Sequence, residues 1–206
     1  EGKAKIIAHG VLQIKKLSAK DSATVEADHD VTLTEAEAGT LVISSDGSVN
    51  AGTLTATTGD AKVKAKTNVT IGTLTAEAGG ATIEATDGAL GVTTLNAKSV
   101  SAKAGTTLSA KTLDVKEHAA LTSGGAMTLE SASADSLTAK AGTTLDATKI
   151  HVAGDAGLVS GRAMVLQEAE AGGTLTADAG GSISVKGKDA KISGSTIEMT
   201  AKEDIR

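Results

Sequence analysis

Apolar and polar residues alternate in short runs along almost the whole chain. The commonest run pairs Leu with Ala two residues on. It reads Gly52-Thr-Leu-Thr-Ala56, Gly72-Thr-Leu-Thr-Ala76, Thr93-Thr-Leu-Asn-Ala97, Thr106-Thr-Leu-Ser-Ala110, Asp135-Ser-Leu-Thr-Ala139, Thr143-Thr-Leu-Asp-Ala147 and Gly173-Thr-Leu-Thr-Ala177. Two-residue spacing puts Leu and Ala on one face of an extended strand and the intervening Thr, Ser or Asp on the other. The same alternation recurs in Val63/Ala65, Ile83/Ala85, Met127/Leu129, Ile150/Val152 and Ile183/Val185. Thr suits the outer positions because its branched Cβ fits a pleated surface. The pattern predicts strands of about 4–6 residues, each with one buried face. Nowhere do apolar residues fall at i, i+3, i+4 and i+7 over three turns, so no helix is expected.

The runs also repeat along the chain. Leu12, Leu33, Leu54, Leu74 and Leu95 lie about twenty-one residues apart, and Leu137, Leu158, Leu175 and Ile197 continue the column less strictly. Leu113 and Val115 cover the gap between them. Leu108 and Leu145 fall between column members, which predicts a second strand within the same coil. Gly marks the turns, at Ser45-Asp-Gly47, Thr58-Gly-Asp60, Ala78-Gly-Gly80, Thr86-Asp-Gly88, Ser123-Gly-Gly125 and Ala179-Gly-Gly181. Gly accepts φ > 0 at tight corners without steric cost. Asp-Gly can also close a hairpin, but a meander needs no fixed repeat length. A period near twenty is shared by leucine-rich repeats and β-helices, and the Leu-x-x-Leu-x-Leu pattern with its Asn ladder is absent. The expected fold is all-β: one continuous right-handed parallel β-helix over residues 1–206, of about ten coils of roughly 20 residues. Coils about 4.8 Å apart would give a rod of roughly 50 Å.

Composition explains how such a narrow core is filled. The 206 residues include no Phe, Trp, Tyr, Pro or Cys, and 24 Gly. A chain without aromatics must bury small aliphatic layers, and a ring would overpack a slender coil. Absence of Pro fits strands that need every N–H for the ladder. Without Cys there are no disulfides or thiolate metal sites, as suits a secreted protein that avoids periplasmic oxidation. The net charge of −5 comes from interspersed acids and bases, which is a solvated surface and not a nucleic-acid footprint. No apolar run approaches a membrane span of about 18 residues. The chain begins at Glu1 with neither initiator Met nor signal peptide, so it reads as a fragment excised from a longer protein.

Gly-Thr-Leu-Thr-Ala phrases with Ala-Gly-Gly turns, in coils near twenty residues, resemble the shaft repeats of filamentous haemagglutinin and related two-partner-secretion exoproteins. The stick-like proteins of contact-dependent growth inhibition belong to the same group. The likeness covers essentially the whole chain and is one of repeat style. It implies a right-handed β-helix at the bacterial cell surface, secreted through an outer-membrane transporter. It also implies roles in adhesion, biofilm, virulence or toxin presentation, with a host or neighbouring-cell surface receptor as partner. The family's amino-terminal secretion domain and carboxy-terminal toxin are not in this sequence.

Candidate chemistry is sparse. Asp28/Asp30, Glu35/Glu37, Glu168/Glu170 and Glu203/Asp204 could pass for the paired carboxylates of a glycosidase, but no aromatic residue is present to line a sugar cleft. His9, His29, His118 and His151 form no His-Glu-x-x-His zinc pattern. Asp28-His29-Asp30 is the densest polar cluster and reads as an exposed turn. No nucleophile elbow, calcium-roll nonapeptide or phosphate loop occurs, and Gly161-Arg162-Ala163 is no Arg-Gly-Asp tripeptide. Glu168-Ala-Glu170-Ala interrupts the spacing and suggests a longer loop at a corner, where solenoids place partner contacts. The expected site inventory is empty: no catalytic, cofactor-binding or metal residues. The leading expectation is a non-catalytic structural and adhesive shaft. A β-helix polysaccharide lyase or hydrolase is the alternative from the enzyme class. A self-assembling solenoid filament, cytoskeletal or designed and joined end to end or laterally, is the third.

Overall fold

The structure, a computed structural model, describes residues 2–188 and 190–206. Among these residues there are strands and turns but no helix. Every strand pairing is parallel, and each strand lies on one a single coil away. The chain is therefore the expected solenoid, with about ten turns of roughly 19 residues.

One coil shows how the sequence builds it. Val49 and Ala51 point inward, then Leu54 and Ala56, then Ala61, Val63 and Ala65, and none is more than 2% exposed. Two consecutive outward residues, Gly52 and Thr53, separate the first pair from the second and turn the strand without interrupting its ladder. A four-residue corner, residues 57–60, precedes the third run. Each coil thus carries three inward runs, of two, two and three residues. Bends joined this way make single strands as long as Val69–Ala85, where strands of about 4–6 residues were expected. The coils bury one continuous apolar column from Leu17 to Ile183.

Vertical order differs from the single Leu column expected. Leu54, Leu74, Leu95 and Leu113 do stack directly, in the second run. Leu12, however, lies against Val31, and Leu33 lies between Ile14 and Ala51, both in the first run. Leu137, Leu175 and Ile197 belong to the third run, with Ala156 between the first two. Leu158 is in a neighbouring column, between Ala139 and Ala177. Leu108 and Leu145 occupy the first run, so a second strand within the coil is present. The Leu-x-Ala phrase is a strand unit that serves all three runs, and it does not mark register.

The reason is a variable step. Stacked residues are separated by anything from 18 to 23 positions in different coils. The phrases at Leu54, Leu74 and Leu95 sit where the step is 20 or 21, which makes the sequence period look near twenty-one. Corners absorb the difference. Register slips between Ala19 and Ser22 and again between Ala76 and Gly80, while the inward residues on either side stay aligned.

Glycine's role also differs from the expectation. Gly187 alone among the described residues has positive φ, at 136°. The corner glycines are instead required by the coil beneath. Gly105, Gly124, Gly142, Gly161 and Gly180 stack at the corner after the third run. A Cβ on Gly124, Gly142, Gly161 or Gly180 would lie 2.1, 2.0, 2.1 or 2.2 Å from the carbonyl oxygen of the glycine one coil before. Gly72 meets the carbonyl of Gly52 in the same way, at 2.6 Å. Gly157 is the contrast: its nearest neighbour would be 3.9 Å away.

Three inward positions hold Ser where other coils hold Ala. Ser45, Ser123 and Ser160 are buried. Each hydroxyl donates to a corner carbonyl: Ser45 to His29 at 2.7 Å, Ser123 to Gly125 at 3.1 Å and Ser160 to Arg162 at 3.2 Å. A buried hydroxyl with such a partner costs little, whereas an unpartnered one would destabilise the coil.

Two substitution pairs test this architecture by urea denaturation. Leu74→Asp puts a carboxylate at a fully buried position and is expected to cost several kcal/mol, while Thr75→Asp on the outer face should change stability by less than about 0.5 kcal/mol. Gly142→Ala should destabilise by more than about 1 kcal/mol, because backbone of the coil before must move. Gly157→Ala should be neutral or stabilise by roughly 0.5 kcal/mol through the unfolded chain. Equal effects for the two glycines would overturn the stacking account.

Candidate functional site

Functional groups on this fold can project only from outward positions and corners, and there several charged side chains are matched by a neighbouring coil. Lys16 and Glu35 are direct neighbours in the ladder with an Nζ–O distance of 3.1 Å, Lys64 and Glu84 likewise at 3.4 Å, and Lys149 and Glu168 at 3.9 Å. Lys98 reaches Glu117 at 3.4 Å, and Lys116 reaches across two coils to Glu77 at 3.7 Å. Such exposed pairs are individually weak and screened by salt. Their number gives the surface its mixed sign without concentrating charge.

Most members of the carboxylate pairs are engaged by neighbouring groups. Glu35 is held by Lys16, and its partner Glu37 borders an open depression of about 390 Å³ with Ser18, Ala19, Lys20 and Thr57. Asp28 accepts from His9 Nδ1 at 3.0 Å. Asp30 accepts from the Ser48 N–H at 2.7 Å and so closes a corner of the next coil. Asn68, Asp60 and Asp155 do the same for Ala89, Gly80 and Thr174. Asp204 pairs with Arg206, and Glu203 stands exposed beside it. Glu35/Glu37 and Glu168/Glu170 each point outward from alternate positions of a single strand.

The histidines do not converge into one site. His9 and His29 both turn toward the Asp28 corner, His29 donating from Nδ1 to the Asp28 carbonyl at 2.6 Å. His118 meets Ser136 at 2.9 Å, and His151 meets Glu170 at 3.3 Å. Among the described residues no three His, Asp or Glu side chains gather to hold a metal ion, and no helix is long and apolar enough to cross a membrane. Gly161-Arg162-Ala163 is an ordinary corner, with the Arg162 N–H bonded to the Thr143 carbonyl.

Glu168-Ala-Glu170-Ala is not the loop expected. It lies in the strand Met164–Ala171, with Ala169 and Ala171 buried and the two acids outward. The widened corner is one coil later. Val185 stacks on Leu166 and Lys191 on Glu168, so the last coil inserts extra residues between them, Gly187 included. No spacing signal marked this corner, because the insertion sits beside short runs that lack the Leu-x-Ala phrase.

A polar cluster pins that corner. Glu170 joins Lys191 of the next coil to His151 of the coil before. The hydrogen bond from Lys191, then that from His151, holds the Glu170 carboxyl below its ordinary value of 4.5. The same bond to Glu170 raises Lys191 above its ordinary 10.5. Ionisation at both groups therefore favours the closed last coil. A depressed carboxyl contributes above its unfolded value and is lost as pH falls through its folded one; a raised ammonium contributes below its unfolded value and is lost as pH rises through its folded one.

No family model matches the chain, and neither a curated protein nor a solved structure matches it.

Hydrogen-exchange protection factors at Lys191–Ser193 are expected to hold between pH 5 and 8 and to fall as the solution is acidified below about 4.5. In Glu170→Gln they should be lower at neutral pH and should vary less on acidification. Identical profiles in the two proteins would remove Glu170 as the pin.

Proposed function

We propose that this chain is a structural and adhesive shaft segment of a secreted bacterial surface exoprotein, without catalysis of its own. The observation that carries the reading is the unbroken stack: about ten coils keep the same three inward runs in line from end to end. Hydrogen bonding along the axis ties each coil to the next, so the rod resists bending and extends reach by roughly 4.8 Å per coil. Outward side chains offer contact area along the whole length. The depressions beside Glu37 and beside Thr138 are open, and they suit surface contact better than enclosure of a small substrate. The resemblance of the Gly-Thr-Leu-Thr-Ala phrase to haemagglutinin-type shafts supplies the setting. That setting is the cell surface, an outer-membrane transporter for export, and a receptor on a host or neighbouring cell.

Small-angle scattering should give a rod roughly 50 Å long. Beads coated with the chain should be retained by bacterial or epithelial cell layers, and soluble chain should compete them off. A compact scattering profile would sink the shaft reading. Retention no better than with uncoated beads would sink the adhesive part.

A further inference from the structure

Asp30, Asp60 and Asp155 close corners of the next coil with a carboxylate, whereas Asn68 does so with an amide. Asp30 and Asn68 stand in the same column, and the phrases they open match: Asp30-Val31-Thr32 and Asn68-Val69-Thr70. Ser48 donates its N–H to Asp30 at 2.7 Å, and Ala89 donates to Asn68 Oδ1 at 2.9 Å. Either oxygen satisfies the corner, so the corner does not account for Asn. What the amide adds is Nδ2, with two N–H groups that have no partner in the chain among the described residues.

Asn68-Val69-Thr70 is also an acceptor pattern for N-linked sugars, Asn-x-Thr. The other two asparagines, Asn50 and Asn96, have neither Ser nor Thr two residues on. The fold displays the pattern as it stands. Val69 is fully buried, so Asn68 and Thr70 on either side of it both face outward, and both are exposed. Space is left beside them. Thr70 lies between Asn50 and Gly91 in the ladder. A Cβ on Gly91 would meet nothing within 4 Å, so stacking does not require this glycine. Glycine inside a strand weakens it and often marks a place where another group approaches closely. The result is a notch without a side chain, one coil from Thr70 and two residues from Ala89, the residue bonded to Asn68. Asn50, Thr70, Gly91 and Thr93 on this surface carry no charge, so a neutral, hydroxyl-rich group can rest there without breaking an ion pair.

We infer that Asn68 is the attachment site of an N-linked sugar, with the sugar ring resting over the Gly91 notch. The donor is a nucleoside-diphosphate hexose, and the catalyst is a glycosyltransferase that reads Asn-x-Thr. The bond between the anomeric carbon and the phosphate oxygen breaks, and the nucleoside diphosphate leaves with that electron pair. Asn68 Nδ2 forms the new bond to the anomeric carbon and gives up one proton, so nothing is oxidised or reduced. Thr70 is the second element the transferase reads. The inference needs only the folded corner, the transferase and the donor, and it stands apart from the shaft reading.

The folded chain, incubated with UDP-glucose and a purified bacterial N-glycosyltransferase specific for Asn-x-Thr and Asn-x-Ser, should gain one hexose. Mass spectrometry should find it on the tryptic peptide of residues 67–98, at Asn68 by fragmentation. Asn68→Asp keeps the corner acceptor, as Asp30 does for Ser48, and should gain none. Thr70→Val should abolish the addition. Asp30→Asn completes the same pattern in the same column and should add a second hexose, on the peptide of residues 21–62. Gly91→Val fills the notch and should slow addition at Asn68 several-fold, without slowing it at position 30 when combined with Asp30→Asn. No hexose on the folded chain overturns the inference, whether or not a free peptide of residues 67–98 accepts one. An equal yield from Thr70→Val overturns the role of the pattern, and an unchanged rate in Gly91→Val overturns the placement of the ring.

Discussion

In-register parallel stacking is the constraint on which the other features depend. Once each coil hydrogen-bonds to the next, every inward side chain must sit over another inward side chain at strand spacing, about 4.8 Å. That distance favours aliphatic residues of moderate size, and it explains a core of Leu, Val, Ile and Ala without a single ring. The same spacing brings corner backbone against corner backbone. At Gly124, Gly142, Gly161 and Gly180 there is no room for a Cβ above the carbonyl of the coil before. The glycines are consequences of stacking and not of unusual dihedral angles, as the single positive φ at Gly187 makes plain.

Much of this was legible from residue pattern alone. Alternation in Gly52-Thr-Leu-Thr-Ala56 identifies the strand and its buried face, and repetition near twenty residues identifies the solenoid. Register was not legible. Leu33 and Leu54 look like successive members of a column but lie in different runs, because steps of 18 to 23 residues cannot be separated by a motif that serves every run. The buried serines were hidden for a related reason. Ser45 stands in a turn phrase by sequence, yet its side chain points inward and is satisfied by a carbonyl that only the folded corner supplies. The widened corner after Val185 left no trace in sequence because its flanking runs are short and irregular.

The polar surface shows how a solenoid uses charge. Glu35/Glu37 and Glu168/Glu170 resemble catalytic pairs when read along the chain, since neighbours on one strand face lie two positions apart. Read across the coils, Glu35, Glu168 and Glu170 are rungs: each faces a base one coil away, as Glu168 faces Lys149 and Glu170 faces both His151 and Lys191. Asp30, Asp60 and Asp155 go further and bond backbone N–H groups of the next coil. Carboxylates committed in this manner are anchors for the geometry of the coils.

The short step between partners has a further consequence for how the molecule comes into being. Almost every stabilising contact joins residues one coil apart, so no strand must wait for a distant end of the chain before it can pair. A coil that has formed offers a finished template to the next, and growth proceeds by accretion, one layer at a time. A half-made rod is then already a proper rod, merely shorter, with only its newest layer unsettled. Length becomes a quantity that can be added or removed in whole layers without redesigning any interior, as courses are added to a wall.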